Sequence, residues 1–188
     1  MAAEEHELDV ASLEVRITTM RRRHLRSVLR IENQVYPRPW SLGLFMSELA
    51  LRSSRAYLVA RVGPVVVGYA GLLFTGTDGH VTTIAVDPQW HRSGIGARLL
   101  LQLSREAIQR GATALTLEVR VGNEAAQSLY RKFGYSPAGV RKGYYVETGE
   151  DALVMWAHDV DALEYAQRLD EIEAAMPGRT IVDPMERP

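Results

Sequence analysis

The stretch HVTTIAVDPQWHRSGIGARLL, His80 to Leu100, constrains the fold more than any other. It alternates like a strand, turns at Asp87-Pro88, crosses Gly94 and Gly96, and continues as an amphipathic helix. Such a junction commits the chain to a sheet with a helix packed across it. It also leaves consecutive N–H groups pointing outward at the helix N-terminus, where negative charge is favoured. Three readings compete. A phosphate-cradling Walker loop needs GxxxxGK[ST], and neither the spacing nor the lysine is present. A dinucleotide fingerprint needs a third glycine where Leu99 stands, and an acidic residue closing the next strand, whereas Glu118 sits mid-strand. The third reading is an anion site built from backbone amides, with Arg92 and Arg98 as added cations and a pyrophosphate as a fitting ligand. Against all three, two glycines can simply turn the chain.

The remaining segments follow from periodicity and punctuation. LEVRITT (13–19) reads as a strand and 20–35 as an amphipathic helix, broken by the two prolines of YPRPW (36–40). Ser41 is placed as the N-cap of a helix over 42–51. AYLVARV (56–62) and VVVGYAGLLFT (65–75) form a hairpin, and 80–86 is the next strand. A helix over 95–110 stops at Gly111, a strand covers 113–119, and a helix runs from Gly122 or Asn123 to about 134. Strands near 138–146 and 152–157, a charged helix over 161–175 and a Pro-containing tail complete the chain. Residues 1–12 read as a polar, mobile leader, 13–159 as one domain, and 160–188 as an added helix and tail. For this last helix three options stand open: packing back on the domain, self-association or mobility. One mixed sheet with helices on both faces accommodates this order.

Composition removes several functions. With 188 residues the chain suits one domain. A net charge of −1 gives no bulk attraction to nucleic acid, so no stable nucleic-acid binding is expected. Arg21-Arg22-Arg23 reads as a solvated helix face. No cysteine is present, which excludes disulfides, thiolate metal sites and a cysteine nucleophile. The five histidines lack zinc spacing, so no metal is expected. The N-terminus has no apolar signal region and no apolar run spans a bilayer, so the expectation is a cytoplasmic protein without membrane association.

IAVDPQWHRSGIGARLL resembles the acetyl-CoA motif of the GNAT acetyltransferase superfamily, Q/R-x-x-G-x-G/A after a strand ending in V-D/H-P. His91 departs from the usual Gln or Arg. LEVRVGNEAAQSLYRKFGY (117–135), YPRPWS (36–41) and RKGYYVETGEDALVM (141–155) resemble the RimI-type ribosomal-protein alanine N-acetyltransferases within it. The likeness spans roughly residues 13–158. It implies an α/β (α+β) GNAT fold: a single mixed, mostly antiparallel twisted sheet with helices on both faces. It implies acetyl-CoA as cosubstrate and a protein N-terminus as acceptor, in particular the alanine of small-subunit ribosomal protein 18. By the same resemblance Ile84, Ala85 and Val86 line the pantetheine arm, with Asn123 touching it. Arg92, Ser93, Gly94, Ile95, Gly96 and Ala97 hold the pyrophosphate. Glu118 and Tyr130 are the catalytic pair, and Trp40, Tyr144 and Tyr145 flank the acceptor.

The chemistry suits these residue types. Acetyl transfer needs a neutral amine and a protonated leaving thiolate. Neutralising an α-amine at pH 7 costs about 1 kcal/mol, against roughly 4.6 for a lysine. A modest base such as Glu118, directly or through a water, suffices for the first, and Tyr130 has a proton to give. From pattern alone Glu118 is equally an ordinary solvated strand residue, Tyr130 packing, Asn123 a plain N-cap, Trp40 an anchor of its connection, and Tyr144-Tyr145 a core pair. A lysine or small-molecule acceptor, and a non-catalytic acyl-CoA sensor, are the rival functions.

Overall fold

A computed structural model describes residues 9–184. Residues 1–8 of the expected leader lie outside them. Residues 9–12 form a turn, with Ser12 N donating to Asp9 O at 3.3 Å.

Eight strands form one sheet: β1 (Glu14–Thr19), β2 (Arg55–Val62), β3 (Val65–Thr75), β4 (Asp78–Val86), β5 (Ala114–Arg120), β6 (Ser136–Tyr145), β7 (Glu150–His158) and β8 (Arg179–Val182). Their order across the sheet is β6-β7-β5-β4-β3-β2-β1-β8. Only β4–β5 and β1–β8 run parallel; the other pairs are antiparallel. Among the described residues five α-helices cover it: α1 (Leu25–Val35), α2 (Leu42–Ala50), α3 (Ile95–Gln109), α4 (Glu124–Lys132) and α5 (Leu163–Ala174).

The pleat divides the core in two. Val15, Ile17, Leu115, Leu117 and Val119 face a cluster that takes in Leu99 and Leu103 of α3 and Leu169 of α5. Tyr57, Val59 and Tyr69 face the other side, where Val28 and Ile31 of α1 and Phe45 of α2 are buried. The alternation expected for β5 is therefore correct, with Leu115, Leu117 and Val119 inward. Ser41 caps α2 as expected, its side chain accepting from Leu44 N at 3.2 Å.

Two features were not anticipated. The tail is not irregular: residues 179–182 form β8, parallel to β1, with Glu14 opposite Arg179 and Ile17 opposite Val182. Beside it the last helix takes the first of its three expected options and packs back, burying Tyr165 and Leu169. Arg98, read as a cation for a bound anion, is fully buried instead. Its guanidinium donates to Ser93 O at 3.2 Å, to Thr180 Oγ1 at 3.0 Å and to Pro177 O. It fastens α3 to the C-terminal segment and has no reach outward.

Candidate active site

The sheet opens where the sequence placed its chemistry. β4 pairs with β5 only from Asp78 opposite Ala114 to Val81 opposite Leu117. Beyond that β4 continues to Val86 and β5 to Arg120 without pairing. At the same level the β3–β4 register steps from Gly71 opposite Thr83 to Leu72 opposite Val81, leaving Thr82 as a bulge. A bulge bends its strand and raises its twist, which drives β4 away from β5. Glu118 is the first residue of β5 past the last pair.

A groove of about 400 Å³ occupies this opening. Glu118, Tyr130, Asn123 and Ile84 line it, as do Trp40, Tyr144 and Tyr145 on the side of the α1–α2 connection and the β6–β7 hairpin. Seven of the residues singled out from sequence thus share one wall-to-wall space.

Glu118 has an 11% exposed side chain with both oxygens engaged. Oε1 accepts from Arg141 Nη1 at 2.7 Å, and Oε2 lies 3.0 Å from His80 Nε2. Burial raises the Tyr130 hydroxyl above its ordinary pKa, so it stays protonated at neutral pH and is available as a donor. Its ring packs 5.9 Å from that of Tyr135. Asn123 does cap α4, accepting from Ala126 N at 3.1 Å, and still borders the groove.

The outer wall is held by arginines. Arg120 lies 3.8 Å above the Tyr145 ring and donates to Glu147 at 2.7 Å and Glu150 at 3.0 Å, tying the hairpin tip to β5. Burial pushes the Tyr145 hydroxyl up to about 12. Tyr144 meets Tyr145 edge-on at 5.1 Å and carries Arg141 over its own ring at 4.7 Å. On the opposite side Trp40 N donates at 2.8 Å to Glu32, a buried carboxylate that also accepts from Tyr69. Burial raises the Glu32 pKa, and the Trp40 bond opposes the rise. Trp40 is both groove wall and anchor, its ring 5.3 Å from Phe45.

The glycine loop lies at the N-terminus of α3. Gly94, at φ +78°, is the N-cap and supplies no side chain to the first turn. Gly96 is uncrowded: an added Cβ would make ordinary contacts, 3.7 Å to Leu129 and 3.8 Å to Val86. The donor set left open is main-chain N–H at the positive end of a helix of 15 residues, which fits a diphosphate. Arg92 is exposed beside it with φ 61°. Ser93 is buried and turned inward, donating to Trp90 O at 2.5 Å. Ile95 and Ala85 are buried, so their side chains belong to the core. Val86 and Ala97 pack against it partly buried. His91, at the position departing from the motif, folds back with Nε2 3.2 Å from Val86 O.

His80 and Glu32 escaped sequence reasoning. His80 has no motif around it; the parallel register that sets it opposite Thr116 brings it to Glu118. Among the described residues no group of three or more His, Asp or Glu could hold a metal ion, and no helix is long and apolar enough to cross a membrane.

A mixed sheet parted between two parallel strands, with a carboxylate and a half-buried tyrosine in the gap and an open helix N-terminus beside it, suits acyl transfer. The sequence model of the acetyltransferase (GNAT) family matches residues 25–135, and the chain belongs to that family. It is 33% identical over 141 residues to the [ribosomal protein bS18]-alanine N-acetyltransferase of Escherichia coli, covering 74% of this chain and 94% of that one. It is 42% identical over 121 residues to the N-alpha-acetyltransferase RimI of Mycobacterium tuberculosis, covering 62% of this chain and 74% of that one. The crystal structure of the ribosomal-protein-S18-alanine N-acetyltransferase from Escherichia coli superposes with a TM-score of 0.70 at 30% identity, over 77% of this chain and 94% of that one. Neighbours at 16% and 19% identity include acetyltransferases crystallised with coenzyme A or acetyl-CoA, a likeness of fold.

Proposed function

We propose that this protein transfers the acetyl group of acetyl-CoA to the α-amine of a protein N-terminus, the alanine of small-subunit ribosomal protein 18 being the preferred acceptor. The observation that carries the reading is the convergence of Glu118 and Tyr130 on the groove where β4 and β5 separate. The names of the relatives supply the acceptor. A ribosomal acceptor places the activity in the cytoplasm.

In this reading the amides of residues 94–97, with Arg92 beside them, hold the pyrophosphate, and Ile84, Ala85 and Val86 guide the pantetheine arm past Asn123. The neutral amine attacks the thioester carbonyl, and Glu118 takes a proton from its nitrogen as the N–C bond forms. The C–S bond breaks, and Tyr130 gives its proton to the departing sulfur. His80 holds Oε2 of Glu118 from a rigid strand. Arg141, 55% exposed, swings off Oε1 to admit the amine. Trp40, Tyr144 and Tyr145 flank the first residues of the acceptor chain. Residues 13–159 form the transferase domain, and residues 160–184 buttress α3.

The test is incubation with acetyl-CoA and a short peptide bearing a free N-terminal alanine, followed by thiol release and peptide mass. A blocked-terminus peptide containing lysine runs beside it. Acetylation of the free terminus alone is expected. Acetylation of the lysine peptide would reassign the acceptor, and binding of acetyl-CoA with transfer to no amine would make the protein a sensor.

A further inference from the structure

The glycine loop is held from behind by a segment outside the span of the family model. That model ends at residue 135, yet residues 177–180 reach back to the first turn of α3. Arg98 makes the link. Its backbone N donates to Gly94 O at 3.1 Å, and its side chain is fully buried. The segment it reaches is at the surface: Pro177, Gly178 and Arg179 are exposed.

The loop needs such a support. Arg92 has φ 61° and Gly94 φ 78°, so two of three consecutive residues are left-handed. A non-glycine residue stays in that region only where its surroundings over-determine it. Ser93, between them, is buried and fixed at both ends. Its hydroxyl donates to Trp90 O at 2.5 Å, and its carbonyl accepts from Arg98 Nη1 at 3.2 Å. The peptide joining Ser93 to Gly94 is trans. In a planar trans peptide the C=O and N–H point in opposite directions. Drawing the Ser93 oxygen inward to Arg98 therefore turns the Gly94 N–H outward, to the side where a diphosphate would lie.

The C-terminal segment decides where that guanidinium sits. Nε donates to Thr180 Oγ1 at 3.0 Å and Nη2 to Pro177 O. Arginine has many rotamers, and these bonds select one. The segment itself is fixed along β1, independently of α3. Arg179 N donates to Leu13 O at 2.8 Å and Asp183 N to Ile17 O at 2.9 Å. The Asp183 carboxylate pairs with Arg16 at 2.7 Å, and Met176 packs against the core just upstream. A continuous chain of contacts thus runs from β1 through Thr180 and Arg98 to the Ser93 carbonyl.

Building on the reading of acetyl-CoA as cosubstrate, we propose that the segment Pro177–Thr180, acting through Arg98, aims the Gly94 N–H and so sets the affinity for the diphosphate of acetyl-CoA. Arg98 and Thr180 are positioning residues; neither touches the ligand. The test is calorimetric binding of acetyl-CoA to full-length variants, with the melting temperature of each measured without ligand. Thr180→Val keeps the shape of the side chain and removes the acceptor of Arg98 Nε. It should weaken binding about fivefold, and Arg98→Met about thirtyfold. Thr180→Ser, which restores the hydroxyl, should bind as the parent does. Arg16→Ala is the control for a loosened segment: it frees Asp183 at the far end and leaves Arg98 and the loop alone. Its affinity should equal that of the parent. The two Thr180 variants decide the matter even where Arg98→Met does not fold. Parental affinity in Thr180→Val, no recovery in Thr180→Ser, or an affinity that merely follows melting temperature across the set would overturn the proposal and leave the cosubstrate standing. A parent chain that does not bind acetyl-CoA would overturn both.

Discussion

Gly94→Ala tests whether the glycine loop is shaped by the protein's own interior. Gly94 sits at φ +78°, and an added Cβ would lie 2.6 Å from Arg98 Nη1. A flexible arginine would move aside. This one is fully buried and tied to Ser93 O, Thr180 Oγ1 and Pro177 O, so it moves only by breaking one of these bonds. The left-handed conformation costs an alanine about 1 kcal/mol. Losing one hydrogen bond to a charged group adds about 2 kcal/mol. The sum, roughly 3 kcal/mol, should lower the melting temperature by about 6–12 °C for a chain of this size. Gly63→Ala is the control: φ is +54°, and nothing lies within 4 Å of the new Cβ. It carries the conformational cost alone and should lose only about 2–4 °C. The assay is thermal unfolding by circular dichroism, with acetyl-CoA affinity measured by calorimetry on the same samples. Because the clash displaces the loop amides, affinity should fall about tenfold in Gly94→Ala and stay unchanged in Gly63→Ala. Equal melting temperatures for the two variants would refute the claim that Arg98 is held rigidly behind the loop.

Glu118→Gln should cut peptide acetylation about a hundredfold or more at pH 7. Its residual rate should climb about tenfold per pH unit until the acceptor's own pKa, near 8, because only the already neutral amine reacts; a pH–rate profile with no such slope would remove Glu118 as the base. His80→Ala should lower kcat about tenfold by loosening the Glu118 carboxylate. Arg141→Ala, losing an exposed pair, should leave kcat within about threefold, and steady-state kinetics in which Arg141 mattered more than His80 would reverse their roles. His24 has a pKa below its model-peptide value of 6.5, so the unfolded chain binds its proton first as pH falls. Its contribution to stability is present above 6.5 and is lost as pH drops toward the folded-state pKa. Denaturant unfolding between pH 7.5 and 5 should show a shallower loss in His24→Gln than in the parent.

Local signals carried well from sequence to structure. Ser41 and Asn123 were readable as caps because a cap needs only its own side chain and the next three residues. The inward alternation of Leu115, Leu117 and Val119 needed only the period of a strand. What escaped depends on partners far along the chain. β8 is four residues, RTIV, with no hairpin beside it, and its partner β1 is separated from it by almost the whole protein. Arg98 looked solvated because arginine usually is, yet it lies between buried Ile95 and Leu99 and buried Gln102 on the inward face of α3. Two of its three partners, Pro177 and Thr180, belong to the C-terminal tail, so both differences have one cause. His80 reached Glu118 through β4–β5 register, and the bulge at Thr82 that parts those strands has no sequence signature at all.

That parting explains why the Glu118 carboxylate can be both shielded and accessible. A glutamate inside a fully paired strand would face the solvent or the core according to its parity. Glu118 stands where pairing has just stopped, on a backbone still held by Leu117 on one side and by β7 across Val154. Its carboxylate is therefore desolvated by the sheet while the missing neighbour strand leaves an approach for substrate. With both oxygens already engaged by His80 and Arg141, it can serve an amine that releases its proton cheaply. An α-amine does so for about 1 kcal/mol at neutral pH and a lysine for roughly 4.6. The proposed preference for a chain terminus thus rests on the chemistry of the groove as well as on the names of its relatives.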